Sequence, residues 1–156
     1  MSEAAFLARA AGLGFAVAKP WGDSLPYDFV LDSGYGLLRV QVKSAACYQR
    51  HQYAVKAGGC KSVYTAHDID FIVAHIVPLN LWYVVPVEAF EGRTMLQLNP
   101  HGPGRAKYEK FVEAWCLLAS PRRARLAKRE PRRCRCGKLA VRCAVCPEKG
   151  RGYLSG

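Results

Sequence analysis

Two short segments with alternating polar and apolar residues, separated by a turn that contains two glycines, constrain this chain more than any other feature. Tyr27–Asp32 alternates with a period of two, Ser33–Gly36 supplies turn residues, and Leu37–Ser44 alternates again. This pattern predicts a β-hairpin in which each strand has one polar and one apolar face. The chain is therefore expected to fold around a sheet, with other segments covering the apolar side.

The other segments predict further strands and two helices. A helix is expected to begin at Ser2 and to end at Gly12 and Gly14, and a second is expected over Arg105–Leu118, where apolar residues recur at spacings of three and four. Apolar, β-branched and aromatic residues favour strands in the remaining segments. The strands expected besides the hairpin are Phe15–Ala18, Tyr48–Val55, Asp70–Val77, Leu81–Val87 and Thr94–Leu98.

The positive charge of the chain is concentrated at its end. Residues 1–120 contain 11 Lys and Arg against 10 Asp and Glu, whereas residues 121–156 contain 12 against 2. This distribution predicts a folded body over 1–120, a basic linker over 121–133 and a basic, Cys-rich tail over 134–156. Clustered cations neutralise phosphates, so we expect the end of the chain to contact nucleic acid, with a merely solvated tail as the alternative. The cations assigned to DNA are Arg122, Arg123, Arg132, Arg133 and Arg135.

Four of the seven cysteines lie close together in that tail. They are Cys134, Cys136, Cys143 and Cys146. Four thiolates are able to bind Zn²⁺ tetrahedrally, although one residue separates the first pair where about two to four are commoner. The sequence therefore makes these cysteines a candidate zinc knuckle, with a disordered Cys-rich tail or a fortuitous cluster as the alternatives.

Several classes of protein are not expected from this sequence. The longest apolar candidate, from Asp70 to Val87, is interrupted by two prolines and falls short of the ~20 residues of a membrane span. Glu3 stands where a secretion signal would carry Lys or Arg, so we expect a cytoplasmic protein with no membrane partner. A Gly-rich phosphate-binding loop with its Lys is missing from the sequence, which argues against a nucleotide-driven enzyme.

The polar face of the predicted hairpin combines groups that suit a cation beside a phosphate. Gln41 and Lys43 lie two residues apart on one face, roughly 7 Å from each other at a rise of ~3.3 Å per residue. Asp28 lies on the polar face of the partner strand. A carboxylate, an amide oxygen and an ammonium group there are able to hold Mg²⁺ and orient a phosphate. Ordinary polar alternation on a half-exposed hairpin is the alternative interpretation.

Three stretches around this hairpin carry a more specific pattern. They are Pro20–Asp23, Tyr27–Val30 and Arg39–Ala45. Together they resemble the PD-(D/E)XK nuclease superfamily, and within it the small endonucleases associated with group I introns, in which a Gln stands in the (D/E) position. Asp68–Phe71 and Trp82–Val87 are similar to the strands that follow, and the resemblance covers about residues 2–119.

The resemblance implies an α/β fold with a restriction-endonuclease-like core, in which helices flank a central mixed sheet and a small basic Cys-rich extension follows. It also implies a homing-type endonuclease that uses Mg²⁺, with Mn²⁺ as a substitute, to hydrolyse phosphodiester bonds of double-stranded DNA. Assembly into a homodimer or homotetramer belongs to the same expectation.

The resemblance further implies a role for five residues of this chain. Asp28 is the principal metal ligand, Gln41 replaces the second acidic ligand, and Val42 contributes its carbonyl oxygen. Lys43 activates the attacking water, and Glu3 assists at the metal, although Glu3 equally fits an ordinary first-turn helix charge. Because Gln41 is neutral, the alternative function is a catalytically inactive nucleic-acid-binding protein of the same fold with a zinc-knuckle tail. A third interpretation is a protein-interaction module with a zinc-adaptor tail.

Overall fold

The structure is a computed structural model that describes residues 2–22, 24–59, 62–102 and 106–119. The predicted basic linker and Cys-rich tail lie outside the described residues, as do the four candidate zinc ligands and the five arginines assigned to DNA. Asp23 lies outside them as well. Those predictions therefore stay predictions.

Within the described residues, one α-helix precedes a series of strands. The helix α1 spans Ser2–Gly12, and no described helix has the length and hydropathy needed to cross a bilayer. The strands are β1 (Ala16–Ala18), β2 (Phe29–Asp32), β3 (Leu37–Ala45), β4 (Tyr48–Gln49), β5 (Gln52–Lys56), β6 (Phe71–Ile76), β7 (Leu81–Pro86) and β8 (Met95–Leu98). Short 3₁₀ turns lie at Val77–Leu79, Val87–Ala89, Glu109–Phe111 and Trp115–Leu117.

Two sheets are formed by these strands. The larger has the order β1-β2-β3-β6-β7, and the smaller has the order β4-β5-β8. In the larger sheet β3 runs parallel to β6, whereas every other neighbouring pair is antiparallel. The fold is thus α/β with a central mixed sheet, as in restriction-endonuclease-like proteins, and this prediction is confirmed.

The larger sheet has an apolar cluster on each face, which explains why its strand β6 is entirely buried. On one face Phe6 and Ala10 of α1 pack with alternate residues of the strands, among them Phe71 and Val73. On the other face Ile72 and Ala74 of the same strand pack toward the smaller sheet. Because successive side chains of a strand point in opposite directions, a strand between two apolar layers needs apolar residues at every position.

The predicted hairpin is present, with one change at its start. β2 pairs with β3 in an antiparallel register in which Phe29 lies opposite Val40. The turn between the strands is closed by a hydrogen bond from the Ser33 backbone N–H to the Gly36 carbonyl at 3.0 Å. Asp28 lies one residue before β2, but its backbone N–H still bonds to the Val40 carbonyl at 3.0 Å, so β3 fixes its position.

The second predicted helix is wrong. Over Arg105–Leu118 the described part of the chain, from residue 106 onward, forms two separate 3₁₀ turns instead of an amphipathic helix. Val112 makes an antiparallel bridge to Tyr83, and the Glu113 N–H bonds to the Trp82 carbonyl at 2.8 Å with φ at +46°. Pairing with the edge of β7 therefore replaces helical hydrogen bonds, although Phe111 and Trp115 are buried as their spacing predicted.

The single strand predicted over Tyr48–Val55 is instead a tight hairpin of β4 and β5. Its two turn residues, Arg50 and His51, both have left-handed backbones, with φ of 49° and 64°. Two successive left-handed residues are what a two-residue hairpin turn requires. The strand predicted over Thr94–Leu98 is present as β8, and it pairs with β5 in the smaller sheet.

Candidate active site

Asp28 lies at the centre of a small polar cluster beside β3. Its Oδ2 accepts a hydrogen bond from the Val42 backbone N–H at 2.8 Å and another from Gln41 Nε2 at 2.5 Å. The carboxylate is therefore held against two consecutive residues of the predicted motif. This contact joins two chain segments that lie more than ten residues apart in the sequence.

Gln41 is buried, with only 7% of its surface exposed, and both ends of its amide have partners. Besides Asp28, Nε2 donates to the Val42 carbonyl at 3.2 Å, and Oε1 accepts a hydrogen bond from the Tyr64 hydroxyl at 3.3 Å. A buried amide without such partners would be costly. The neutral side chain that was predicted to replace the second acidic ligand is thus fully hydrogen-bonded within the cluster.

Lys43 lies two residues beyond Gln41 and is half-buried. Its Nζ lies 5.6 Å from the ring centroid of Tyr64, within the range of a cation–π contact. Its positive charge lowers the pKa of Asp28, so the ammonium and carboxylate act on each other electrostatically. Tyr64 therefore contacts both Gln41 and Lys43.

Glu3 lies in the first turn of α1 and forms an ion pair with Lys19, Nζ to Oε2 at 2.8 Å. Its negative charge raises the pKa of Asp28, which places it within electrostatic range of that carboxylate. Both interpretations of Glu3 are compatible with this position: it extends the negative charge of the cluster, and it occupies the end of a helix that favours an acidic side chain.

The pKa of Asp28 lies above its ordinary value of 3.8. Burial is the main cause, because it disfavours the charged form, and Glu3 acts in the same direction. The Val42 N–H, the Gln41 amide and Lys43 oppose the shift and do not cancel it. A bound cation would therefore stabilise the charged form of this carboxylate.

The oxygen donors of the cluster fit a hard divalent cation. Gln41 Nε2 lies between Asp28 Oδ2 and the Val42 carbonyl oxygen, two donors of the type that Mg²⁺ prefers. Rotation of the amide exchanges its nitrogen and oxygen ends, so Gln41 is able to present a third oxygen. Among the described residues no three His, Cys, Asp or Glu side chains form a metal-binding group, so such a donor set depends on the amide and the backbone carbonyl.

Comparison with protein families gives a match over most of the chain. The model of the PD-(D/E)XK endonuclease family matches residues 1–118. The chain belongs to this family. The predicted resemblance is thereby confirmed.

Two solved structures are similar to this chain. The chain is similar to the bacterial homing endonuclease I-Ssp6803I, with 31% sequence identity and a TM-score of 0.66 over 81% of this chain and 90% of that one. It also aligns with Hjc of Archaeoglobus fulgidus, a Holliday junction resolvase from an archaeal hyperthermophile, with 16% identity and a TM-score of 0.49 over 76% and 93% of the two chains. Comparison with curated proteins gives no match.

The geometry brings the predicted site residues of this PD-(D/E)XK chain together to different extents. Asp28, Gln41 and Val42 are joined by hydrogen bonds, whereas Lys43 and Glu3 act on Asp28 through their charges. Tyr64, which lies in the segment between β5 and β6, was not among the predicted site residues. No local pattern marks it, because its contact with Gln41 arises only from tertiary folding.

A second set of contacts, also missed from the sequence, holds that segment against β3. Arg39 Nε and Nη2 donate to Asp70 Oδ2 and Oδ1 at 3.0 and 2.9 Å, and the Arg39 backbone N–H donates to Oδ2 at 2.8 Å. Its guanidinium also donates to the carbonyls of Ala66 and His67. Arg39 thus positions the chain just beyond Tyr64. The one available signal was an Arg on the polar face of a predicted strand.

Proposed function

We propose that this chain is a metal-dependent endonuclease that hydrolyses phosphodiester bonds of double-stranded DNA. The observation that carries the proposal is the cluster of Asp28, Gln41 and Lys43 where β2 begins beside β3. Membership of the PD-(D/E)XK endonuclease family supports hydrolytic nuclease chemistry at that cluster. The similarity to a bacterial homing endonuclease supports DNA as the substrate.

We assign the cofactor as Mg²⁺, with Mn²⁺ as a substitute. Asp28, the Gln41 amide and the Val42 carbonyl are the groups that would hold it, with Glu3 adding negative charge nearby. When bound, the cation supplies Lewis-acid stabilisation of the phosphate charge. The charge contributed by the side chains is low for such a site, since Gln41 is neutral, and metal affinity therefore depends strongly on Asp28.

Lys43 has two tasks in this proposal. Its ammonium group orients the attacking water by hydrogen bonding and stabilises the negative charge that builds on the phosphoryl oxygens during attack. The Tyr64 ring lies 5.6 Å from Nζ and restricts where that charge can lie. Gln41 has a positioning role as well, because its amide links Tyr64 to Asp28.

Plasmid cleavage tests this function. The full chain is incubated with supercoiled plasmid and with a DNA library in Mg²⁺, Mn²⁺ or EDTA, and Lys43→Ala is compared with Lys110→Ala. Lys110 is a matched control, because its Nζ also lies over an aromatic ring, 5.1 Å from the centroid of Phe111, and it is exposed. We expect cleavage by wild type and Lys110→Ala, and a loss of about 10²- to 10³-fold in Lys43→Ala. Equal cleavage by all three proteins would overturn the assignment of Lys43.

The neutral amide at Gln41 favours a second candidate, a DNA-binding protein that has lost catalysis. Gln41 Nε2 fills the space between two oxygens that would otherwise bind a cation. This candidate predicts salt-sensitive DNA binding without cleavage in any divalent ion. Gln41→Glu separates the two functions: cleavage that appears only in the variant identifies the natural chain as a binder.

Assembly and the tail belong to the same proposal. Because the strands of a duplex are antiparallel, cleavage of both is simplest with two copies related by a two-fold axis, and light scattering of the purified chain should give a dimer or tetramer.

We also propose that the tail cysteines bind Zn²⁺. Metal analysis of the purified full chain tests this, with a Cys143→Ser, Cys146→Ser variant as the control.

A further inference from the structure

One face of the smaller sheet is polar and points away from the core. Cross-strand partners on antiparallel strands share a face, and Gln49 lies opposite Gln52, Ala54 opposite Gln97, and Lys56 opposite Met95. Tyr53, Val55, Leu96 and Leu98 alternate with these residues and are buried. We call the outward set the amide face, and its residues are Gln49, Gln52, Ala54, Lys56, Met95 and Gln97.

The chemistry of this face suits base edges. The face contains three of the four glutamines of the chain, and Gln49 and Gln97 are exposed. Glutamine is able to pair in a bidentate manner with adenine in the major groove, since its amide carries both a donor and an acceptor. Ala54, between Gln52 and Lys56 on the same strand, is small and lets a ligand approach the backbone closely.

The charged side chains that line the two grooves on the amide face are all cations. Two open grooves meet at Gln52, with volumes of about 400 and 320 Å³, and within the described chain no Asp or Glu side chain lines either groove. Residues 1–120 contain almost equal numbers of basic and acidic residues, so this is a local asymmetry. The cations on or beside the face are Arg50, Lys56, Arg93 and Lys107.

The larger groove starts at residues that follow the candidate active site along β3. The larger groove begins at Ser44 and Ala45 at the end of β3, directly after Lys43, and extends to Gln49 and Arg50. The groove and the candidate site are therefore linked through consecutive residues of β3. Small and polar side chains line this groove.

We propose that the amide face is the surface through which this chain reads duplex DNA. In this arrangement Gln49, Gln52 and Gln97 contact base edges in the major groove, while Arg50 and Lys56 contact phosphates on either side. The inference rests on the proposed DNA endonuclease function and adds to it the residues that select the target.

The tip of the β4–β5 hairpin has dimensions suited to that task. β8 pairs with β5 only from Tyr53 onward, so the residues from Gln49 to Gln52 form a two-stranded ribbon. Such a ribbon, with strands ~4.8 Å apart, fits the major groove, which is ~12 Å wide. Arg50 and His51 at its tip are exposed and held in left-handed conformations, which fixes how the hairpin projects. The Tyr48 ring packs against the rings of Tyr53 and His101, with centroid distances of 5.1 Å and 5.7 Å, respectively. These contacts stabilise the hairpin where it joins the rest of the protein.

Base preference gives the first test. The target of the wild-type chain is determined by sequencing the cut ends of a randomised DNA library, and Gln49→Ala, Gln52→Ala and Gln97→Ala are then compared. We expect each variant to lose about 10-fold or more in discrimination at one or two positions of the target while it still cuts sites that differ there. Unchanged base preferences in a variant that carries all three substitutions would overturn the proposal.

Salt dependence of binding gives the second test, and it does not need cleavage. Arg50→Ala and Lys56→Ala are compared with Lys110→Ala, an exposed lysine that lines neither groove. Binding of a random-sequence duplex is measured by fluorescence anisotropy in EDTA over a range of salt. We expect the slope of log affinity against log salt to fall by about one in each of the first two variants and to stay unchanged in the control. Equal slopes in all three variants would overturn the role of the face.

The two tests separate this inference from the function on which it rests. If wild type binds but never cuts, and Arg50→Ala and Lys56→Ala still lower the salt slope, the DNA surface stands and the nuclease assignment fails. If wild type cuts and the variants bind with wild-type slope and preference, the nuclease assignment stands and the amide face is wrong. Circular dichroism of each variant establishes that it has folded.

Discussion

Gln41 Nε2 donates a hydrogen bond to Asp28 Oδ2 at 2.5 Å, so that an amide faces the half-buried carboxylate of the candidate site. In a site with two carboxylates these groups would repel each other until a cation arrived. Here the amide satisfies Asp28 without a cation. The free protein is therefore more stable than a two-carboxylate site would allow, at the cost of one negative charge for metal binding.

Gln41→Glu is expected to lower the stability of the metal-free protein and to strengthen metal binding. Without metal, two adjacent carboxylates raise each other's pKa, so the variant should melt at a lower temperature than wild type at neutral pH and recover as the pH falls. With Mg²⁺, its melting temperature should rise more than that of wild type, because ligand binding to the folded state stabilises it by about 2.7 kcal/mol at ~100 times the Kd. Thermal melts in EDTA and in Mg²⁺ measure both effects, and equal Mg²⁺ responses in the two proteins would contradict the site.

Asp28→Asn tests the raised pKa of Asp28. The folded state binds this proton more tightly than the unfolded state does, so the stability that Asp28 contributes is fully present below 3.8 and is lost as the pH rises through the raised pKa. Asn removes the titration but keeps an oxygen that is able to accept the Val42 N–H. We expect the stability of the variant relative to wild type to increase across that pH window and then to level off, while cleavage is lost at every pH.

Denaturant unfolding from acidic to neutral pH measures this difference. Asp32→Asn is a suitable control, since Asp32 ends the strand that Asp28 precedes, is exposed and accepts a hydrogen bond from the Gly34 backbone N–H. A constant difference between Asp28→Asn and wild type over the whole range would show that Asp28 has no raised pKa.

Tyr64→Phe and Tyr64→Leu separate the two contacts of this ring. Phe keeps the aromatic face below Lys43 and removes the donor to Gln41 Oε1, so we expect a loss of about 1 kcal/mol in unfolding free energy and near-normal cleavage. Leu removes both contacts, including a cation–π contact of about 0.5–1 kcal/mol, and should also slow cleavage because Lys43 is no longer oriented. Equal cleavage rates in the two variants would mean that the ring does not orient Lys43.

The separation along the chain between interacting residues decided which parts of this site could be predicted. The hairpin was predictable because its alternation is local, and Asp28, Gln41 and Lys43 could be placed on its polar face for the same reason. The roles of Tyr64 and Arg39 could not be predicted, since their contacts join β3 to a segment more than twenty residues away. The sequence of neither segment indicates that the two come together.

The incorrect helix over Arg105–Leu118 has a related cause. Spacings of three and four correctly marked Phe111 and Trp115 as buried, but a chain is able to bury them from short turns as well as from a helix. The deciding interactions were the bridge between Val112 and Tyr83 and the bond from Trp82 N–H to Glu113 Oε1 at 2.9 Å. Tertiary pairing with an available strand edge outweighed helical propensity.

Arg39 offers the sharpest test of how the fold supports the site. Its side chain is 23% exposed and that of Asp70 is 18% exposed, so the pair is largely removed from water. Arg39→Ala leaves a carboxylate that has lost its guanidinium partner, and we expect a loss of about 3 kcal/mol in unfolding free energy. Arg39→Lys should recover little of it, because an ammonium group cannot span both oxygens of Asp70 and the two backbone carbonyls. Urea unfolding measures these values.

The same two variants should affect catalysis through Tyr64. If Arg39 holds the segment that contains Tyr64 against β3, Arg39→Ala should slow cleavage even under conditions where the variant is fully folded. Asp70→Asn is the matched control: it keeps one oxygen acceptor for Arg39 but removes the charge, and it should lose less stability than Arg39→Ala. Wild-type stability in Arg39→Lys would show that charge alone, and not the geometry of the guanidinium, fastens this segment beside Gln41.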